Sequence, residues 1–179
     1  MAKLWIKKGA YISAFALAGL GITLMLPKQK PVNNLILHSY AKEDSVKCLV
    51  TKVVDGDTFH ALVFDSVPIT VRLACIDAPE RSQQFGEYSK LQLQSLLRCK
   101  SVVLFKPYNT LDKYDRYICN VYSDSGFVNL EMVRRGMAFV YYQYCSNDNF
   151  ILAEQEAFFN NLGVHSVSML RPWDYRNNR

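Results

Sequence analysis

Histidine is scarce in this sequence, and its scarcity removes several chemistries at once. The 179 residues contain three, His38, His60 and His165. None has a Cys, His or acidic partner at catalytic or metal-ligating spacing. The five cysteines, Cys48, Cys75, Cys99, Cys119 and Cys145, form no CxxC pair, which argues against structural zinc. Cys48, Cys75 and Cys119 lie in apolar, strand-like stretches and are expected in the core. Cys99 and Cys145 fall at element ends and are the better disulfide candidates, with the pairing open and at least one thiol left over. There is no internal repeat and no low-complexity tract. With 50% apolar and 21% charged residues, the composition is globular and excludes a disordered chain. The length predicts about one domain.

Acidic residues are absent from the first thirty positions, which carry Lys3, Lys7, Lys8, Lys28 and Lys30. Those five of the 21 Lys and Arg leave 16 basic against 16 acidic residues beyond them. The globular part is therefore no bulk polycation, and phosphate chemistry requires a local site. Gly9–Leu26 is an uncharged run of 18 residues, long enough as a helix to span ~27 Å, close to a hydrocarbon core. Small-residue patterns at Ala14–Ala16 and Ala16–Ala18 fit a cleavable export signal. The apolar run continues past them to Leu26, which favours an uncleaved signal-anchor with the domain exported. Residues 1–30 are accordingly expected to be the signal-anchor or signal peptide, 31–46 a linker and 47–179 the folded domain.

Short strand signals follow at Cys48–Val54, Phe59–Phe64, Ile69–Cys75, Val102–Phe105 and Tyr117–Tyr122. Asp65–Pro68 reads as the turn between the second and third. Helical spacing marks Gly86–Leu97, with Leu93, Leu96 and Leu97 on one side. A short helix is expected over Asn129–Arg135, capped by Asn129 and stopped by Gly136. A longer one is expected over Asp148–Leu162, capped by Asp148, stopped by Gly163 and buried along Ile151, Phe158, Phe159 and Leu162. Five strands with helices inserted and appended predict an α+β fold built on a small barrel.

One constellation carries chemistry. With the hairpin centred between Ser66 and Val67, Asp57 faces Ile76, or Asp77 after a one-residue shift, and two carboxylates approach within roughly 5–7 Å. Like charges so close call for a cation between them. Oxygen-only donors favour calcium or magnesium over zinc. Arg72, opposite the Ile69/Val71/Leu73/Cys75 stripe, points away from the core and can reach an anion. Glu80, three residues past Asp77, is placed to take a proton from water. Arg116 ends a polar turn, Asp112-Lys113-Tyr114-Asp115-Arg116. Two arginines, two aspartates, a glutamate and a divalent ion suit phosphodiester hydrolysis. Each piece alone is an ordinary turn or strand residue; their order and register carry the reading.

From about residue 47 to 176 the chain resembles the staphylococcal nuclease family. Five blocks carry the resemblance: Val54–Thr58, Val71–Glu80, Asp112–Arg116, Val128–Ala138 and Pro172–Arg176. It implies a five-stranded OB-fold β-barrel with three helices, here preceded by the N-terminal hydrophobic helix. It implies a calcium-dependent endonuclease that cleaves DNA and RNA and leaves 3′-phosphate ends. The family's metal ligands would be Asp57, Asp77 and the carbonyl of Ala78. Its catalytic residues would be Arg72, Glu80 and Arg116, and its substrate contacts Lys113, Tyr114, Tyr142 and Tyr144. The expected partners are nucleic acid and, through residues 9–26 if uncleaved, a membrane. The protein is expected to be a monomer, membrane-anchored with an exported domain, or secreted or periplasmic after cleavage.

Two departures bear on function. Ala78 stands where the family often has Thr, which matters little if only the carbonyl binds metal. Asp115 replaces a Gly, putting a negative charge beside Arg116 at a turn that suits φ > 0. Alternation over Phe139–Tyr144 would send Tyr142 and Tyr144 to one side and Tyr141 and Gln143 to the other. The competing reading is a catalytically weak OB-fold module that binds nucleic acid or protein. Retention of Asp57, Arg72, Asp77, Glu80 and Arg116 together favours the enzyme.

Overall fold

The structure, a computed structural model, describes residues 45–105 and 111–178. The chain forms two units, Met1–Val32 and Asn33–Arg179, and every element below belongs to the second. The expected signal-anchor, and the linker as far as residue 44, lie outside the described residues. Among the described residues no helix is long and apolar enough to cross a membrane.

Five strands form the barrel: β1 (Ser45–Val53), β2 (Thr58–Val63), β3 (Val67–Leu73), β5 (Ser101–Phe105) and β6 (Tyr117–Ser123). They run in the order β3-β2-β1-β5-β6, and a parallel pairing of β3 with β6 closes the cylinder. A short β7 (Gly126–Phe127) adds to the edge of β6, while β4 (Ile76–Asp77) and β8 (Phe139–Val140) form a separate antiparallel pair. The helices are α1 (Gly86–Leu96), α2 (Val128–Arg134), α3 (Asp148–Phe159) and α4 (Pro172–Asn177). The barrel and its five strands are as expected from the sequence; α4 is one helix more than the family resemblance implied.

Alternation builds the core. Phe59, Ala61 and Val63 of β2 face Ile69, Val71 and Leu73 of β3 inside the barrel, and all six are buried. In β1 a bulge between Val50 and Lys52 shifts the inward face from Cys48 and Val50 to Val53. Leu93, Leu96 and Leu97 close one end from α1, and Met132 and Phe150 come from α2 and α3.

The hairpin register differs from expectation. Thr58 pairs with Arg72, and the Leu73 N–H donates to the Asp57 carbonyl at 2.8 Å. Asp57 therefore stands opposite Leu73, not Ile76 or Asp77. The cause is the turn, where Phe64 (φ 51°) and Asp65 (φ 57°) are both left-handed. Two successive positive φ values make a tight turn whose twist suits a hairpin, so the chain reverses before Ser66 and shifts the register.

The helix ends differ too. Asn147, one residue before the expected cap, accepts a hydrogen bond from the Asn149 N–H at 3.0 Å. Phe150, Ala153, Glu154 and Ala157 form the buried face of α3, while Phe158, Phe159 and Leu162 are exposed. Asn129 is no cap; it lies fully buried inside α2. Its Nδ2 donates to the carbonyls of Ala74 and Cys119, and its Oδ1 accepts from the Val121 N–H. Cys48, Cys119 and Cys145 are buried, Cys75 is half-buried and Cys99 is exposed. The Cys145 thiol neighbours Cys75, while the Cys99 thiol faces Asp124, so the structure does not bring Cys99 and Cys145 together.

Candidate active site

Two close backbone approaches build the site. A Cβ on Gly56 would lie 2.6 Å from the Ser89 Cβ and 2.7 Å from the Ala78 Cβ; only glycine lets the Asp55–Asp57 turn sit this close to α1 and the strand after β3. That contact brings the Ala78 N–H to the Asp57 Oδ2 at 2.9 Å. A Cβ on Gly86 would lie 2.2 Å from the Glu80 carbonyl. Gly86 thus lets the loop from Glu80 fold tightly onto the start of α1, and the Gln83 side chain ties that loop by accepting from the Glu80 N–H at 2.8 Å.

Arg72 lies between the two aspartates. Its Nη1 is 3.0 Å from Asp57 Oδ2 and its Nη2 is 2.8 Å from Asp77 Oδ1. The cation that the paired carboxylates call for is, in part, this guanidinium. Asp57 Oδ1 also accepts from the Thr58 hydroxyl at 2.9 Å. Asp77 is almost fully buried, with β4 pairing to β8 beside it.

The surplus is negative. Burial, then the neighbouring Asp57 carboxylate, push the Asp55 carboxyl up to about 6. Burial also pushes Asp77 up, opposed by the hydrogen bond from Arg176 and by the charge of Arg72. The Arg72 guanidinium is raised above its ordinary value: burial works against its charge, but Asp57, Asp77 and Asp55 outweigh it.

Arg176, on α4, is the residue that sequence reading left without a role. Its Nη2 is 2.7 Å from Asp77 Oδ2, and its Nη1 is 2.7 Å from Glu80 Oε1 and 3.4 Å from Asp77 Oδ1. Its only sequence signal was membership of the Pro172–Arg176 block, where nothing links it to residues nearly a hundred positions earlier.

The structure thus joins Asp57, Arg72, Asp77, Ala78 and Glu80, through Ala78's N–H and through Arg176. The remaining predicted residues form two other groups. Arg116 pairs with Asp112, Nη2 to Oδ2 at 2.7 Å and Nε to Oδ2 at 2.8 Å, and its guanidinium lies 5.1 Å from the centre of the Tyr114 ring. Lys113 lies 4.9 Å from the same ring. The loop leads into β6, where Ile118 pairs with Arg72, so Arg116 stands two residues from the strand position beside Arg72. Asp115 has φ 59°, the conformation in which Gly would be at ease.

The alternation expected over Phe139–Tyr144 fails because the strand ends at Val140 and Tyr142–Tyr144 is a 3₁₀ turn. Tyr141 stacks on Trp173 at 5.0 Å, with Tyr144 edge-on at 4.9 Å. The Tyr142 hydroxyl donates to Glu154. Tyr142 and Tyr144 keep exposed rings, but the contacts of Tyr142 run to Glu154 and Arg171, not to the carboxylate cluster.

A closed five-stranded barrel carrying paired aspartates, a bridging arginine and a neighbouring glutamate defines the class: an OB-type barrel with a cluster of acidic side chains and arginines beside β3 and β4. Comparison with known proteins is specific. The family described as staphylococcal nuclease homologue matches residues 70–166. An uncharacterised endonuclease of Haemophilus influenzae is 39% identical over 129 residues, covering 72% of this chain and 71% of that protein. A micrococcal nuclease of Shigella flexneri is 32% identical over 139 residues, covering 71% and 78%. Endonuclease YncB of Bacillus subtilis is 30% identical over 142 residues, covering 73% and 67%. The chain belongs to the staphylococcal nuclease family. It is a nuclease that hydrolyses phosphodiester bonds of nucleic acid, in a family of metal-dependent enzymes.

Proposed function

We propose that the protein is a calcium-dependent endonuclease that cleaves DNA and RNA to leave 3′-phosphate ends. We further propose that it acts as a monomer, exported and held at a membrane by residues 9–26, or released if that segment is cleaved. The observation that carries the catalytic reading is Arg72 clamped between Asp57 and Asp77, with Glu80 three residues beyond.

The donor chemistry fits a hard cation: the Asp57 and Asp77 carboxylates and the Ala78 carbonyl are all oxygen donors. Three carboxylates face two guanidiniums here. Among the described residues no three His, Cys, Asp or Glu side chains converge as a ready-made metal cluster; Asp57, Asp77 and the Ala78 carbonyl would hold the ion. When bound, calcium would supply charge neutralisation for the phosphate.

The chain's own residues do the rest. Arg72 and Arg116 are planar two-pronged donors, suited to hold phosphate oxygens and to meet charge as it builds on them. Glu80 takes the proton from the attacking water. Lys113 and the exposed rings of Tyr114, Tyr142 and Tyr144 offer a cation and stacking faces for nucleotides, worth ~1–3 kcal/mol per stacked base.

The test is cleavage of matched DNA and RNA by the full chain, in calcium and in chelator, with the product ends identified chemically. Cleavage only with calcium, yielding 3′-phosphate, is expected. Full activity in chelator, or 5′-phosphate products, would contradict the proposal.

A further inference from the structure

The carboxylates that a cation at this site needs are already engaged. Asp57 Oδ2 accepts from Arg72 and the Ala78 N–H, and both oxygens of Asp77 accept from guanidiniums. The two arginines are not equivalent. Arg72 leaves strand β3 with a side chain only 12% exposed and bridges Asp57 to Asp77. Arg176 comes from the last helix, is 42% exposed, and bridges Asp77 to Glu80. One is built into the barrel wall, while the other reaches in from solvent.

We propose that Arg176 is a built-in competitor for the metal ion: it occupies Asp77 and Glu80 with its own positive charge and must turn out to solvent before a divalent cation binds. The proposal rests on the metal-dependent reading above and adds the residue that sets the metal's affinity. Three observations carry it. First, the guanidinium takes both oxygens of Asp77 and one of Glu80 at 2.7–3.4 Å, so a hard ion and Arg176 compete for Asp77. Second, Arg72 alone leaves three carboxylates against one cation, the charge a divalent ion would balance. Arg176 removes one unit of that attraction. Third, α4 is docked by contacts that do not involve Arg176. Trp173 stacks on Tyr141 at 5.0 Å, the hydroxyls of Tyr175 and Ser82 lie 3.2 Å apart, and Gln83 Nε2 donates to the Leu170 carbonyl at 3.0 Å. The side chain can therefore swing out while the helix stays in place.

Displacement leaves Glu80 without its guanidinium partner, so one exchange admits the ion and frees the carboxylate assigned to proton transfer. The device couples metal arrival to exposure of the base.

The experiment is calorimetric titration of calcium into the full chain, without nucleic acid, for wild type, Arg176→Gln and Arg176→Lys. Arg176→Gln is expected to bind calcium at least about tenfold more tightly, the ratio that about 1.4 kcal/mol of lost competition gives. Arg176→Lys should fall between, because an ammonium lacks the fork that spans two carboxylates. In chelator Arg176→Gln should melt lower than wild type, and calcium should raise its melting temperature by more. Equal affinities, or weaker binding by Arg176→Gln, would overturn the competitor role and leave the metal-dependent reading standing. No calcium binding by any of the three proteins would remove that reading and this inference with it.

Discussion

Asp55 sits next to a charge it cannot escape. Its Oδ1 accepts from the Asp57 N–H at 3.0 Å, holding the turn, while burial and the Asp57 carboxylate push its own carboxyl up to about 6. A carboxyl raised on folding contributes stability while protonated, fully present below the unfolded value near 3.8 and lost as pH rises through about 6. Asp55→Asn keeps an acceptor and removes the charge. Measured in chelator, it should match wild type near pH 4 and exceed it by roughly 1–3 kcal/mol at pH 7. A difference that does not grow across that window would refute the assignment. The convergence of Asp57, Arg72, Asp77 and Glu80 was legible in sequence, because each motif block brings its own chemistry, although the hairpin register places Asp57 opposite Leu73. Arg176 was not, because its partners are set by how α4 docks, and no local pattern encodes that.

At the scale of elements, what holds the helices to the barrel is a matter of single polar side chains. Asn129 satisfies three backbone groups, the carbonyls of Ala74 and Cys119 and the N–H of Val121, and so ties α2 to β6 and to the chain leaving β3. Asn129→Ala leaves those buried groups unpaired and should cost about 3 kcal/mol or more in urea unfolding; a loss within the range of a surface substitution would contradict this role. The sequence suggested Asn129 as a cap because Asn before an apolar run usually is one; burial at that point is a tertiary fact. The same limit explains α3, where the apolar side chains of Phe158 and Phe159 suggested the buried stripe, while the fold buries Phe150, Ala153, Glu154 and Ala157 and leaves those two exposed. The Asp112–Arg116 turn was better legible, since the missing glycine at Asp115 coincides with φ 59°. Asp115→Gly should raise stability by about 0.5 kcal/mol, the relief of a left-handed residue less the entropy of glycine, and no gain would show that the turn carries no strain.

For the molecule as a whole, strand count and barrel class followed from alternation and from the order of the motifs. The closure of β3 on β6 and the separate β4–β8 pair depend on contacts distant in sequence. The hydrophobic segment 9–26 adds a cellular expectation. Intact-mass analysis of membrane and soluble fractions should find the chain in the membrane fraction starting near its first residue. A mature start near residue 19 would show a cleaved signal, and full-length chain in the soluble cytoplasm would defeat both readings.

The central claim is that the cluster of Asp57, Arg72, Asp77 and Glu80 is where phosphodiester bonds are broken. The most direct measurement is single-turnover cleavage of a short DNA by Glu80→Gln in saturating calcium, with DNA affinity determined on the same protein. Glu80 is assigned to proton transfer and holds no phosphate, so the rate should fall by about 10²–10⁴ while affinity stays near that of wild type. Cleavage by Glu80→Gln at the wild-type rate would place the chemistry elsewhere.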